Sequence, residues 1–194
     1  MNEKEFLTAK EKALKSLNKA VREEKTDNNI ISILNILNNI KEFYTTSSCE
    51  GRTVLLEIPR IGDKRRAKIL GKWHDTVNID DIKEASKKAE KGLIWLLAQS
   101  PVVHIGCANI NIADKLLKIS IASGFKHSGL KSSKRKYIVE ICSTERLDSP
   151  VGKDGFLFCD EDYLQLLVDI SNEIYRVSKV KIKQLELNLH QNFV

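Results

Sequence analysis

Apolar residues recur along this chain with two periods, and the switches between them lay out the elements. Phe6, Ala9, Ala13, Leu17 and Ala20 share one helical face with charges elsewhere, which predicts a helix over residues 3 to 24, and Asn2 with Glu5 has the form of a capping box. Asp27 is the expected cap of a second helix, in which Ile30, Ile33, Leu34, Leu37 and Ile40 form a core-facing stripe. Extended chain follows over Phe43 to Cys49, Thr53 to Ile58 and Ile69 to His74, with Pro59-Arg60-Ile61-Gly62-Asp63 as the turn before the third strand. A helix capped by Asp80 or Asp81 runs through Glu90 to a stop at Gly92. Leu93 to Ala98 and Val102 to Cys107, joined by Gln99-Ser100-Pro101, are expected as adjacent strands, and Asn109 or Asn111 caps a helix closed by Gly124. Phe125 to Leu130 and Tyr137 to Cys142 are the arms of a hairpin. Asp148-Ser149-Pro150 is expected to turn the chain, and Phe156 to Phe158 to extend it. The last element is a helix from Asp160 to about Leu189 with Tyr163, Leu167, Ile170, Ile174 and Val177 inward and a projecting tail.

Hairpin connections outnumber long crossovers in this order. It implies an α+β fold, one domain over residues 1 to 194, with a mixed or largely antiparallel curved sheet backed by helices rather than a doubly wound parallel sheet.

Composition narrows the classes. With 194 residues, 42% hydrophobic and 30% charged, the chain can bury a sizeable core, and it holds no apolar run of membrane-spanning length. Its start lacks a secretion signal, so a cytoplasmic location is expected. The four cysteines, Cys49, Cys107, Cys142 and Cys159, are scattered without a C-x-x-C pair, which speaks against a metal site or a disulfide framework. A net charge of +6 favours polyanions such as RNA. None of the nine glycines forms a G-x-G-x-x-G or a P-loop pattern, so a conventional dinucleotide or ATP site is not expected.

One stretch carries more chemistry than a structural strand needs. Phe43-Tyr44-Thr45-Thr46-Ser47-Ser48-Cys49-Glu50-Gly51-Arg52 places hydroxyls, a thiol and a guanidinium at a strand corner where Gly51 permits a positive φ. An ordinary turn whose hydroxyls serve their own backbone is the competing reading. Ser143-Thr144-Glu145-Arg146 echoes the cluster. Lys64, Arg65, Arg66 and Lys68 form one basic patch, and Lys131, Lys134, Arg135 and Lys136 a second. His104, amid Val102, Val103 and Ile105, is either a satisfied core residue or a group with a pKa suited to proton transfer.

Together, Phe43 to Cys49 with Gly51-Arg52, then Gly71-Lys72-Trp73-His74, His104, Gly124-Phe125-Lys126-His127-Ser128-Gly129 and Ser143 to Arg146 resemble the wybutosine-synthesising tRNA N4-methyltransferase family (the third wybutosine-synthesis protein) in its archaeal form. The resemblance runs in order from residue 2 to about 185. It implies S-adenosylmethionine-dependent methylation of N4 of the tricyclic wyosine-precursor base at position 37 of phenylalanine tRNA, on a fold unlike the Rossmann methyltransferases; apart from the resemblance, a monomer without metal is expected. On this reading His104 or His74 accepts the proton or positions the base. Tyr44, Ser47, Ser48, Cys49, Arg52, Trp73, Ser128, Ser143, Thr144 and Arg146 hold donor or substrate, with Tyr44 or Trp73 stacking on the base. Lys64, Arg65, Arg66, Lys134 and Arg135 take phosphates of the anticodon stem-loop. Glu50 departs from the family pattern, which has a small residue there, and is expected to face solvent. The rival readings are a non-catalytic module that binds modified tRNA and a Cys49 nucleophile paired with a histidine.

Overall fold

The computed structural model describes residues 2–193; Met1 and Val194, the ends of the expected domain, lie outside them. In chain order the elements are α1 (Glu3–Arg22), α2 (Ile31–Asn39), β1 (Phe43–Cys49), β2 (Arg52–Ile58), β3 (Lys68–Trp73), α3 (Ile79–Ser86), β4 (Leu93–Gln99), β5 (Val102–Cys107), α4 (Ile110–Ala122), β6 (Gly129–Ser132), β7 (Tyr137–Cys142), β8 (Arg146–Lys153), β9 (Phe156–Leu157) and α5 (Glu161–Phe193). The strands form two sheets, ordered β1-β5-β7-β6 and β3-β2-β4-β8-β9, and every pairing among the described residues is antiparallel. This is the α+β architecture expected, with helices backing antiparallel sheets and a long C-terminal helix. The expected single sheet is replaced by two, and β4 and β5 are not neighbours: β4 pairs with β2 and β8, β5 with β1 and β7.

The described residues fall into two compact units. The first comprises the chain up to Glu50, Pro101–Thr144 and everything from Ser178 on. Its core gathers Ile33, Leu34 and Leu37 of α2, Phe43, Val103, Ile105, Val139 and Ile141 of the four-stranded sheet, and Leu116 of α4. Asn38 ties α2 to the sheet: its Nδ2 donates to Thr45 Oγ1 at 2.8 Å and its Oδ1 accepts the Thr45 N–H at 2.9 Å. The tail of α5, expected to project, belongs to this core. Ile182, Leu185 and Leu189 are buried in it, and the Phe193 ring meets Phe43 edge-on at 4.9 Å with the Lys115 ammonium 4.1 Å from its centroid.

Two other expectations fail here for hydrogen-bonding reasons. Asp27 does not cap α2, which has no side-chain cap; its Oδ2 instead accepts the Glu50 N–H at 3.0 Å. Glu50 is buried rather than solvent-facing, and its carboxylate accepts the backbone N–H of Asn29 at 3.1 Å at the start of α2's leading turn. The first arm of the expected hairpin begins only at Gly129, since Phe125 is a core residue.

The second unit comprises Gly51–Ser100 and Glu145–Val177. Leu55, Leu70, Ile94, Leu96 and Val151 of the five-stranded sheet pack with Ile82 and Ala85 of α3 and with Leu164, Leu167 and Val168 of α5. Tyr163 and Ile170, expected inward, are exposed and Val177 is half-buried, while Leu167 and Ile174 are buried as expected, with Leu164, Val168 and Ser171 beside them. Asn78, not Asp80 or Asp81, caps α3, in a box with Asp81. Asp148-Ser149-Pro150 is not a turn but the middle of β8, where Pro150 sits opposite Trp95 at a bulge beside Ile94. Pro150 thus lies at a bulge, where the ladder is already interrupted and a residue without an N–H is tolerated.

Candidate functional site

In the first unit, alternation along the strands sends the core residues one way and polar residues the other. Val103 and Ile105 face the core, so His104 points to the opposite face; Val139 and Ile141 do the same for Glu140. On β1 the pairing with β5 shifts register between Thr45 and Ser47, and the Thr46 hydroxyl donates to the His104 carbonyl at 3.2 Å. The bulge sets Ser47 directly opposite His104, and His104 is in turn opposite Glu140 on β7. A transverse row results. Ser47 Oγ lies 3.0 Å from His104 Nδ1, His104 Nε2 lies 2.9 Å from Glu140 Oε2, and Lys131 Nζ of β6 pairs with Glu140 Oε1 at 2.6 Å.

The charges settle the protons. Burial pushes the Glu140 carboxyl up, but the Lys131 ammonium, with the His104 imidazole behind it, outweighs that and holds it below its ordinary value. An ionised carboxylate only accepts, so His104 Nε2 carries the proton. In the neutral ring Nδ1 is then the bare acceptor, facing the exposed Ser47 hydroxyl. This Ser–His–carboxylate order is that of a proton relay.

Three other expected site residues of this unit, Tyr44, Ser128 and Ser143, are engaged within the fold. Tyr44 is 2% exposed, its ring tilted against Phe6 at 5.3 Å and lying across Gly106, so it is not presented for stacking. Ser128 Oγ donates to the Phe125 carbonyl at 2.7 Å and accepts the Cys142 N–H at 3.1 Å. Ser143 is buried and accepts from Lys181 Nζ at 2.9 Å. Ser48 and Cys49 are half-buried on β1, and Thr144 is exposed. Both nitrogens of His104 are engaged by Ser47 and Glu140, which leaves neither to activate Cys49. Cys107, at the end of β5, is inert: burial raises its thiol to about 12.

In the second unit, Arg52, Gln99 and Arg146 form another transverse row at one end of the sheet, with Gln99 opposite both arginines. Arg52 Nε donates to Gln99 Oε1 at 3.2 Å, and Arg146 pairs with Asp148. Trp73 is half-buried with its ring folded across Gly71, and His74 follows it, half-buried, beyond the strand. Of the cations after β2, Arg66 is held by Asp63 (Nε to Oδ2, 2.9 Å), while Lys64 and Arg65 line an open hollow of about 600 Å³ with Arg60, Ile61, Gly62 and Asp63.

The model of the family described as "Methyltransferase TYW3" matches residues 8–191. The chain belongs to the TYW3 methyltransferase family. A relative from Thermococcus sibiricus, named as a tRNA(Phe) 7-((3-amino-3-carboxypropyl)-4-demethylwyosine(37)-N(4))-methyltransferase, is 43% identical over 95% of this chain and 94% of its own. One from Pyrococcus horikoshii with the same name, numbered 1, is 44% identical over 95% of each chain. Among solved structures, the PH1069 protein from Pyrococcus horikoshii superposes with a TM-score of 0.91 at 43% identity over 95% of each chain. A hypothetical protein from Aeropyrum pernix shares the fold, with a TM-score of 0.74 at 23% identity over 85% of this chain and 98% of its own. The TYW3 match covers most of the α5 tail, consistent with its place in the core. Of these two rows, sequence reasoning on this TYW3 chain singled out Ser47, His104, Arg52 and Arg146, and Lys131 only as part of a basic patch, but not Glu140 or Gln99. A polar residue alternating with core residues carries no mark of its own; only strand register shows what stands beside it.

Proposed function

We propose that this protein is a tRNA methyltransferase that transfers the methyl group of S-adenosylmethionine to N4 of the wyosine-precursor base at position 37 of phenylalanine tRNA. Family membership and the names of the relatives support the substrate and reaction. The observation that carries the mechanism is the Ser47–His104–Glu140 row, because the ring nitrogen must lose a proton as it gains the methyl group. When bound, S-adenosylmethionine supplies an electrophilic methyl on a sulfonium, and the departing thioether keeps the electron pair.

Within the row, Ser47 Oγ takes the proton shed by the nitrogen and passes its own to His104 Nδ1. Glu140 holds the imidazole in the tautomer that can receive it and stabilises the imidazolium that forms. Lys131 keeps Glu140 ionised. Taken by itself, the second unit's Arg52–Gln99–Arg146 row offers guanidinium and amide donors of the kind that bind a carboxylate. Lys64, Arg65, Lys134 and Arg135 contact RNA phosphates.

Incubating precursor tRNA with the protein and S-adenosylmethionine, then analysing nucleosides by mass spectrometry, should give a gain of one methyl group at position 37. No gain under conditions where the tRNA is bound would sink the proposal.

A further inference from the structure

We propose that the groove between the first turns of α1 and the loop joining β6 to β7 is a binding site for the phosphodiester backbone of the RNA substrate, away from the nucleotide that reacts. The RNA identity rests on the function proposed above; the polyanion chemistry does not. The groove has a volume of about 750 Å³ and is lined by Asn2, Lys4, Glu5, Thr8, Ala9 and Lys12 of the α1 region and by Lys134, Arg135 and Lys136 of the loop.

Its charge is predominantly positive, five cations to one carboxylate. Lys4, Lys12, Lys134, Arg135 and Lys136 are exposed and have no carboxylate partner among the described residues, although many other lysines of the chain are paired. Within the same unit Lys131 is held by Glu140, and Lys10 donates to the Ile40 carbonyl at 2.6 Å. The single carboxylate in the lining, Glu5, is occupied in the α1 capping box, where it accepts the Asn2 N–H at 3.0 Å. Thr8 adds a hydroxyl, though it donates to the Lys4 carbonyl. Five cations against one carboxylate around an open hollow repel one another, and a chain of phosphates relieves that repulsion while releasing its own counterions.

Placement fits a backbone contact rather than a reaction site. Lys136 precedes β7 and Glu140 lies four residues on, about 13 Å along an extended strand. An RNA strand whose modified base meets the Ser47–His104 row therefore reaches the groove within a few nucleotides. Lys4, Lys12 and Lys136, which the sequence alone did not single out as contacts, join Lys134 and Arg135 there.

The test measures binding of an unmodified phenylalanine tRNA transcript by filter retention over a KCl series. It compares the wild type with K4Q/K12Q/K136Q, whose side chains are exposed and whose capping residues Asn2 and Glu5 are untouched, and with the control K15Q/K19Q, whose lysines face Glu11 and Glu23. The groove variant should bind more weakly at low salt, and the slope of log K against log salt should become shallower by about 2 to 3, the loss of three phosphate contacts. The control should keep the wild-type slope. A wild-type slope in the groove variant, or an equal change in the control, overturns the groove. Failure of the methyl-gain assay with the slope change intact would overturn the proposed reaction and leave the groove standing.

Discussion

A carboxylate beside an imidazole decides which ring nitrogen is left to act, and Glu140 makes that decision for His104. In E140Q the amide can donate to Nε2, which lets Nδ1 carry the proton and removes the acceptor facing Ser47. Single-turnover methylation should then fall by as much as about 10²-fold, and H104A should lose about 10²–10⁴-fold, the usual span for a general base. A thermal melt of E140Q within a few degrees of wild type would show that the loss is catalytic; an unchanged rate would remove Glu140 from the mechanism. The same carboxyl gives a pH dependence. Its value in the fold is lower than its ordinary one, so it favours the folded state above about pH 4.3, and that contribution is lost as pH falls through the folded value. On acidification from about pH 6 to about pH 3, wild type should therefore lose more stability than E140Q, as read by urea midpoints. Ser47 and His104 were legible because hydroxyl clusters and strand histidines are rare. Glu140 was not, because in Tyr137-Ile138-Val139-Glu140-Ile141-Cys142 it looks like any solvent-facing residue of an alternating strand.

Elements were legible where their signals are local. The α1 capping box and the apolar stripe of α2 were read correctly from residues three and four apart, and Gly51 does adopt a positive φ, +90°, at the corner after β1. Signals that depend on distant partners were lost. Nothing in Thr45-Thr46-Ser47 announces a bulge, and Asp148-Ser149-Pro150 has turn chemistry yet lies in a strand, because a bulge tolerates the missing N–H. The end of α5 looked like a charged tail because Lys179, Lys181 and Lys183 crowd its start. Its buried stripe, Ile182, Leu185 and Leu189, has nothing in the sequence to pack on until the first unit's core is assembled. Leu189 is fully buried there, so L189A should cost about 2 to 5 kcal/mol in urea unfolding. A cost below about 0.5 kcal/mol, the size of an ordinary surface substitution, would mean that the tail does not dock as described.

For the molecule as a whole, the absence of glycine-rich phosphate loops and the preponderance of hairpins pointed away from a Rossmann fold, and the antiparallel sheets agree. The division of the strands into two sheets was not legible, because β1 and β2, β4 and β5, and β7 and β8 are each consecutive in sequence yet belong to different sheets. The two leading readings of the chain part at one property of the intact protein, whether S-adenosylmethionine binds it. A ligand that binds only the folded state stabilises it by RT ln(1 + [L]/Kd), about 2.7 kcal/mol at a hundred times Kd. At about 2 to 4 °C per kcal/mol for a chain of this size, the melting temperature should rise by about 5 to 10 °C with the donor alone. R52A should reduce that rise if its guanidinium holds the methionine carboxylate, while S-adenosylhomocysteine, which keeps the carboxylate and ribose, should reproduce much of it. A module that grips modified tRNA without chemistry predicts stabilisation by tRNA and none by either compound. A flat response to both, in protein that still binds tRNA, would decide for that module and against the methyltransferase.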